Sequence, residues 1–142
     1  MSRVLAALLL CATPCVAKAD AFQRLPGLYG DPHPVMESCE WTRQRLTLSQ
    51  DSQRGAIEVL VLDVDGQYFV GSDIAFTIRR TTPDGAEIEF DDDDGRTPSG
   101  ALVVWELRLL INPDRYCWHR TDWPANQCIN MVQRCEGPEP IS

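Results

Sequence analysis

The stretch Ser72–Asp91, SDIAFTIRRTTPDGAEIEFD, decides the fold class. Apolar and polar side chains alternate in it from Ser72 to Arg80 and again from Ala86 to Asp91. Alternation with a period of two is typical of a strand with one buried face. Between the two runs, Pro83-Asp84-Gly85 indicates a tight turn. The stretch therefore predicts two antiparallel strands joined as a hairpin.

The same alternation continues on both sides of this hairpin. Leu102–Ile111 is the clearest run, and in it Trp105 and Leu107 share the apolar face. Other candidate strands are Arg45–Ser49, Ile57–Val64, Tyr116–His119 and Ile129–Arg134. Asp65-Gly66 indicates a second hairpin, whereas helix is expected at most as one short turn at Pro124–Gln127. We predict an all-β domain, an antiparallel meander closed as a small barrel or folded as a sandwich.

The amino-terminal residues Met1–Ala19 have the parts of a secretory signal. After a basic start, Val4–Val16 is mostly apolar, and Ala17-Lys18-Ala19 provides small residues for a cleavage site. The apolar run is shorter than the ~20 residues that span a bilayer. We therefore expect one periplasmic or secreted domain, Asp20–Ser142, with a loose tail at Glu136–Ser142.

The expected mature chain is strongly acidic. Without Arg3 and Lys18, 11 basic residues remain against 21 acidic ones, which gives a net charge of −10. Nucleic acids and anionic membrane surfaces repel such a chain, so neither is an expected partner, and no membrane span is expected. The expected partner is an unknown protein or small ligand, and a cationic one fits the charge.

Four cysteines remain after the signal: Cys39, Cys117, Cys128 and Cys135. An even number in an exported chain predicts two disulfides. The long, unequal spacings differ from the close pairs of zinc sites, so no metal is expected. Of three possible pairings we favour Cys117–Cys128, which closes a local loop, with Cys39–Cys135, which ties the early chain to the late chain.

The segment Tyr116–Pro124 concentrates aromatic and charged side chains. A bridge between Cys117 and Cys128 would constrain it, and rigid aromatic surfaces form binding hot spots. The predicted binding residues are Tyr116, Trp118, His119, Arg120, Asp122 and Trp123. In the alternative interpretation, Trp118 and Trp123 plug one end of the barrel and the segment is structural.

Catalysis is not expected from the same segment. His119 and Asp122 lie three positions apart and could form an acid–base pair. However, no serine or free cysteine stands in a recognisable nucleophile motif, and no nucleotide or haem fingerprint is present. We therefore predict no catalytic residues and no cofactor.

The run Asp91-Asp92-Asp93-Asp94 is the densest charge in the chain. Calcium would need six to eight oxygens placed by a defined loop, and the alternating acids of the usual calcium loop are absent. The interpretation we favour is a solvated hairpin loop that keeps the sheet from aggregating.

Two short stretches resemble known families. Leu25-Pro26-Gly27-Leu28-Tyr29-Gly30 is similar to the Gly-x-aromatic opening of lipocalin-type barrels, which implies a barrel but no particular ligand. Glu37-Ser38-Cys39-Glu40, followed by a strand, is similar in outline to the cysteine-strand opening of periplasmic lysozyme inhibitors. We expect the whole segment Phe22–Asp31, rich in Pro and Gly, to pack against the barrel as a leading segment.

Three classes of function follow from these features. We expect an exported, non-catalytic binding or accessory protein of the cell envelope, acting through the Tyr116–Trp123 surface or a barrel mouth. The alternative is an inhibitor of a cationic extracellular enzyme, as the lysozyme-inhibitor resemblance implies. A small hydrolase is the third class, disfavoured because no catalytic set is visible.

Overall fold

The computed structural model describes residues 20–30, 39, 42–110 and 114–136. The segments with alternating apolar and polar residues form β-strands in it. The elements are α1 (Asp20–Gln23), β1 (Gly27–Gly30), β2 (Thr42–Leu48), β3 (Arg54–Leu62), β4 (Tyr68–Thr82), β5 (Gly85–Phe90), β6 (Trp105–Leu110), β7 (Arg115–Arg120) and β8 (Ile129–Arg134). None of the described residues belongs to a helix long and apolar enough to cross a membrane.

The eight strands form one closed ring. Each strand pairs antiparallel with the next, and β8 pairs with β1 through Tyr29↔Arg134 and Gly30↔Gln133. The all-β prediction is confirmed, and of its two architectures the barrel is the observed one. Closure pairs strands that would otherwise be edges, which is how up-and-down barrels avoid exposing unpaired backbone.

The predicted hairpins are present, but β4 is longer than its sequence pattern indicates. Thr82 pairs with Gly85 across the first turn, and Leu62 pairs with Tyr68 across the second. β4 begins at Tyr68 rather than Ser72 because a bulge opposite Val59 and Leu60 shifts the register and interrupts the alternation. The predicted turn at 124–127 is a single hydrogen-bonded turn rather than a helix.

Strand boundaries differ from the prediction at several further places, including β1 and β6. Part of the segment expected to lead into the barrel, Gly27–Gly30, is itself strand β1 and pairs with both β2 and β8. The sequence did not predict β1 as a strand, because its four residues include a glycine at each end and are too few to show an alternation of apolar and polar side chains. β6 begins at Trp105 instead of Leu102, and Ile111 lies outside the described residues, as do the predicted signal Met1–Ala19 and most of the carboxy-terminal tail.

The two disulfides have the predicted pairing. Cys39 is bonded to Cys135, with Cα atoms 5.6 Å apart, and the bond spans 96 positions. Cys117 is bonded to Cys128, with Cα atoms 5.8 Å apart, and closes a loop of 11 positions. The first joins the two halves of the domain, whereas the second constrains the connection between β7 and β8.

One end of the barrel, which we call the closed end, is sealed by packing and hydrogen bonds. Phe22 and Leu25 are buried there against the core. The Tyr29 hydroxyl donates to Leu25 O at 2.7 Å, and the Arg134 guanidinium lies 4.8 Å from the centre of the Tyr29 ring. Arg134 also donates to the Pro26 and Arg24 carbonyls. Polar groups at this end therefore satisfy one another.

Candidate functional site

The opposite end of the barrel, which we call the mouth, contains a cavity of about 300 Å³. Six of its lining residues are apolar or aromatic and two are amides, and none of the eight is charged. They are Gln44, Ile57, Val59, Ile74, Phe90, Trp105, Trp118 and Asn130. They come from β2 to β8, because inward-facing positions of successive strands converge on the barrel axis.

Aromatic rings form one wall of this cavity. The Phe90 ring centre lies 5.2 Å from that of Trp118 and 6.1 Å from that of Trp105. Beneath the cavity, Tyr116 packs edge-on against Trp118 at 5.7 Å and against Tyr29 at 4.6 Å. Tilted and edge-to-face contacts at these separations are favourable, so the wall is held rigidly from below.

Few polar groups reach the cavity. The Tyr116 hydroxyl donates to Gln44 Oε1 at 2.6 Å, which fixes the orientation of the amide. Asn130 lies on the left-handed side of the backbone map, at φ 49°, a conformation that asparagine tolerates better than most residues. These two amides are the polar groups with which a ligand inside the cavity could form hydrogen bonds.

The Trp105 indole is held from outside the cavity. Its Nε1–H donates to Asp93 Oδ2 at 3.0 Å, and the Gly95 N–H donates to Asp93 Oδ1 at 2.8 Å. These two hydrogen bonds hold the pKa of Asp93 below its ordinary value, and the bond from Trp105 has the larger effect. One member of the acidic run is thus a fixed part of the mouth.

A cation–aromatic cluster forms the rim beside Trp105. The Arg120 guanidinium donates two hydrogen bonds to the Asp122 carboxylate, both at 2.9 Å, and these bonds lower the pKa of Asp122. The same guanidinium lies 5.4 Å from the ring centre of Trp123, whose ring contacts that of Trp105 edge-on at 5.5 Å. Arg120 is therefore already paired and stacked within the protein.

The six predicted binding residues do not share one surface. Tyr116 and Trp118 are buried inside the barrel, where Trp118 lines the cavity and Tyr116 packs against Trp118. Arg120, Asp122 and Trp123 form the rim. Seen from outside, Trp118 is buried, so an external patch combining it with Trp123 does not exist.

His119 takes a third position, on the outer face of β7. Only 4% of the residue is exposed, and its Nδ1 lies 2.7 Å from Gln127 O in the loop that the Cys117–Cys128 bond holds in place. No hydrogen bond joins His119 to Asp122 among the described contacts. The acid–base pair considered from the sequence is not assembled.

Sequence reasoning missed most of the cavity lining. Gln44, Val59, Ile74 and Phe90 attracted no functional interpretation, because in sequence they are ordinary members of alternating strands. What these residues share is their position, since each is an inward-facing residue of its strand near the mouth end of the barrel. That signal becomes visible only when the strand order and register are known.

The acidic run is divided between paired and unpaired carboxylates. Asp91 accepts from Arg54 and Thr77, and Asp93 accepts from Trp105, as described above. Asp92 and Asp94 are exposed, with no side-chain hydrogen bond or ion pair in the described part of the chain. No group of three metal-ligating side chains occurs among the described residues.

Glu37, Ser38 and Glu40, which carry most of the likeness to lysozyme inhibitors, lie outside the described residues. The Gly-x-aromatic stretch lies at the closed end, as part of β1. Comparison with family models, with curated proteins and with solved structures finds no match for this chain.

Proposed function

We propose that this chain is an exported, non-catalytic binding protein that holds a small, largely apolar ligand in the mouth cavity. The observation that carries the proposal is the cavity itself. It is an uncharged space of about 300 Å³ at one end of a barrel whose other end is filled. Ligand pockets are typically concave, mostly apolar and roughly 300–1,000 Å³, so this one suits a small molecule.

The lining defines the chemistry of the ligand. Phe90, Trp105 and Trp118 offer flat aromatic surfaces, while Ile57 and Val59 offer aliphatic ones. A buried charge would have no opposite charge among the lining residues, and burying an unpaired charge is costly. The part of the ligand inside the cavity is therefore uncharged, with at most one or two polar atoms for the amides of Gln44 and Asn130.

Two features support a binding role rather than a catalytic one. His119 is buried beneath a loop carbonyl, and Asp122 is held by Arg120, so neither faces the cavity. The cavity lining contains no serine, cysteine, histidine or carboxylate that could act as a nucleophile or general base.

Two features support export. The amino-terminal segment has the pattern of a cleavable secretory signal. Two disulfides, one of them linking residues 96 positions apart, are typical of chains that fold in an oxidising compartment.

The test is binding of N-phenyl-1-naphthylamine, an uncharged apolar dye that fluoresces when it leaves water. We expect saturable binding by the oxidised domain Asp20–Ser142. Val59→Trp fills the cavity and should weaken the dye affinity by about tenfold or more. Val64→Trp, at the fully exposed tip of the β3–β4 hairpin, is the matched control and should bind as the parent does.

Circular dichroism and thermal melting establish that both variants are folded. If Val59→Trp is unstable, Val59→Phe provides a smaller filling group. Equal dye affinity in a folded Val59 variant and in the parent would overturn the proposal, as would absence of saturable binding by the parent.

A further inference from the structure

The first residues of strand β4, at the mouth end of the barrel, extend beyond the end of β5. The β4–β5 ladder starts at the Phe76↔Phe90 pair, and one more backbone bond follows, from Asp91 N–H to Ala75 O at 3.0 Å. There the chain turns away from β4 into the acidic run. Within the described residues, Phe69–Ile74 pairs with β3 on one side and has no strand on the other.

This segment, which we call the β4 overhang, is exposed on both faces. Phe69 is 51% exposed, Val70 50% and Ile74 43%. Gly71, Ser72 and Asp73 between them are exposed as well. Natural sheets usually protect such edges with charge, proline or a covering loop, because unpaired backbone with apolar side chains attracts another strand.

We propose that the β4 overhang binds an extended, basic peptide segment by strand addition. In this mode the backbone hydrogen bonds of an exposed edge supply affinity, and side chains facing neighbouring groups supply specificity. The added strand would occupy the position that β5 vacates at Asp91. It would therefore lie end to end with β5, at the point where the acidic run begins.

Charge selects a basic occupant. Asp92 and Asp94, both exposed and without a described partner, follow the end of β5 by two and four residues, and Asp73 belongs to the overhang itself. A second copy of the domain Asp20–Ser142 would bring its own net charge of −10 to the same place and be repelled. Alternating Lys or Arg with apolar residues complements both the carboxylates and the exposed Phe69 and Ile74 side chains.

The overhang and the cavity are adjacent but separate sites. Ile74 belongs to both, since it lines the cavity and is partly exposed. A side chain of the added strand next to Ile74 would therefore lie at the cavity entrance. Strand addition itself needs only the edge of β4 and does not depend on a ligand in the cavity.

Hydrogen–deuterium exchange of the oxidised domain Asp20–Ser142 is the test, with a blocked peptide of alternating arginine and valine as the probe. We expect slowed exchange for amides within Phe69–Ile74 when the peptide is present. A copy of the peptide N-methylated at every residue keeps the side chains and charge but has no backbone donors. The methylated peptide should bind at least about tenfold more weakly, because the hydrogen bonds between the strands are lost.

Two protein variants test the charge. Asp92→Asn should weaken peptide binding by about threefold, as expected for one partly screened ion pair. Asp84→Asn removes the same charge at the opposite end of the β4–β5 hairpin and should leave the affinity unchanged. A glutamate–valine peptide should not bind measurably.

Three results would overturn the proposal: equal affinity of the methylated and unmethylated peptides, protection confined to amides outside the overhang, or no binding of the basic peptide. Dye binding to the cavity is measured separately. Failure of strand addition with intact dye binding would reject this inference alone, and the reverse result would reject the proposed function alone.

Discussion

The closed end and the mouth of the barrel differ in what their inward side chains contact. At the closed end, Tyr29 is fully buried and is enclosed by Leu25, Arg134 and the carbonyls that Arg134 binds. At the mouth, the rings of Trp105 and Trp118 have protein on one side and the cavity on the other. The same alternating pattern therefore produces a filled core at one end and an open one at the other.

This difference indicates that the closed end contributes mainly to stability and that the mouth is the end suited to binding. The closed end combines apolar packing with a buried hydrogen-bond network, so its side chains have their partners within the protein. The mouth keeps aromatic surface that contacts no other protein group, and such surface gains most from a ligand. Variants at the two ends should therefore affect different measurements.

Removing the disulfides should give the largest losses of free energy of unfolding, and the two losses can be compared with each other. Replacing Cys39 and Cys135 by alanine opens a loop of 96 positions and should lower the free energy of unfolding by about 4–5 kcal/mol in the chain-entropy model. Replacing Cys117 and Cys128 opens one of 11 positions and should cost about 3 kcal/mol. Urea unfolding of the two double variants measures both values. The opposite ranking would show that the Cys117–Cys128 loop contributes more to stability than the Cys39–Cys135 tie.

A pair of aromatic truncations separates folding from binding. Tyr116→Ala removes a fully buried ring from beneath the cavity and should lower the free energy of unfolding by about 3–5 kcal/mol. Trp105→Ala, at the half-buried wall, should cost less stability but weaken dye binding by about tenfold. Denaturant unfolding and dye titration on both variants give the comparison. A larger stability loss for Trp105→Ala than for Tyr116→Ala would place the mouth in the structural core.

Two arginines stacked on aromatic rings provide a matched pair. Arg134→Leu removes the guanidinium that binds two carbonyls and the Tyr29 hydroxyl, and should cost about 2–3 kcal/mol. Arg120→Leu removes a rim pair screened by solvent and should cost much less. Thermal unfolding monitored by circular dichroism measures both. Equal losses would show that the rim cluster is as structural as the closed end.

One carboxyl at the mouth and one hydroxyl at the closed end should also respond to opposite extremes of pH. The pKa of Asp93 is below its ordinary 3.8 in the folded state, so its contribution at the mouth is present above that pH and is lost as the pH falls through the folded pKa. Burial raises the pKa of Tyr29 from 10.0 to about 12, so its contribution at the closed end is present below pH 10.0 and is lost as the pH rises through about 12.

Stability measured against pH tests this small effect. Asp93→Asn should flatten the acid side of the profile and leave the alkaline side unchanged, whereas Tyr29→Phe should do the reverse. An unchanged acid limb in Asp93→Asn would mean that the bond to Trp105 does not stabilise the mouth.

Much of the fold could be predicted from the sequence, since period-two alternation with turn residues between runs directly reports half-buried strands. The hairpin at Pro83-Asp84-Gly85 follows from local turn chemistry, and of three possible disulfide pairings the favoured one is observed. The β4 overhang could not be predicted, because a bulge in β4 opposite Val59 and Leu60 breaks the alternation just where the extra residues pair. Strand β1 was hidden by its length and its glycines.

The candidate site was predicted only in part. The aromatic content of Tyr116–Trp123 drew attention to the end of β7 that borders the cavity. Alternation along a strand, however, sends Trp118 inward and His119 outward, and so divides a segment that is continuous in sequence. Gln44, Ile74 and Phe90 join Trp118 through the register of strands far apart in the chain, which no local pattern encodes.

Intermolecular nuclear Overhauser effects between N-phenyl-1-naphthylamine and the methyl groups of the domain test the central claim most directly. The mouth cavity predicts contacts from the dye to the methyl groups of Ile57, Val59 and Ile74. Contacts confined to exposed methyl groups outside the cavity, such as those of Val64 and Leu102, would contradict it.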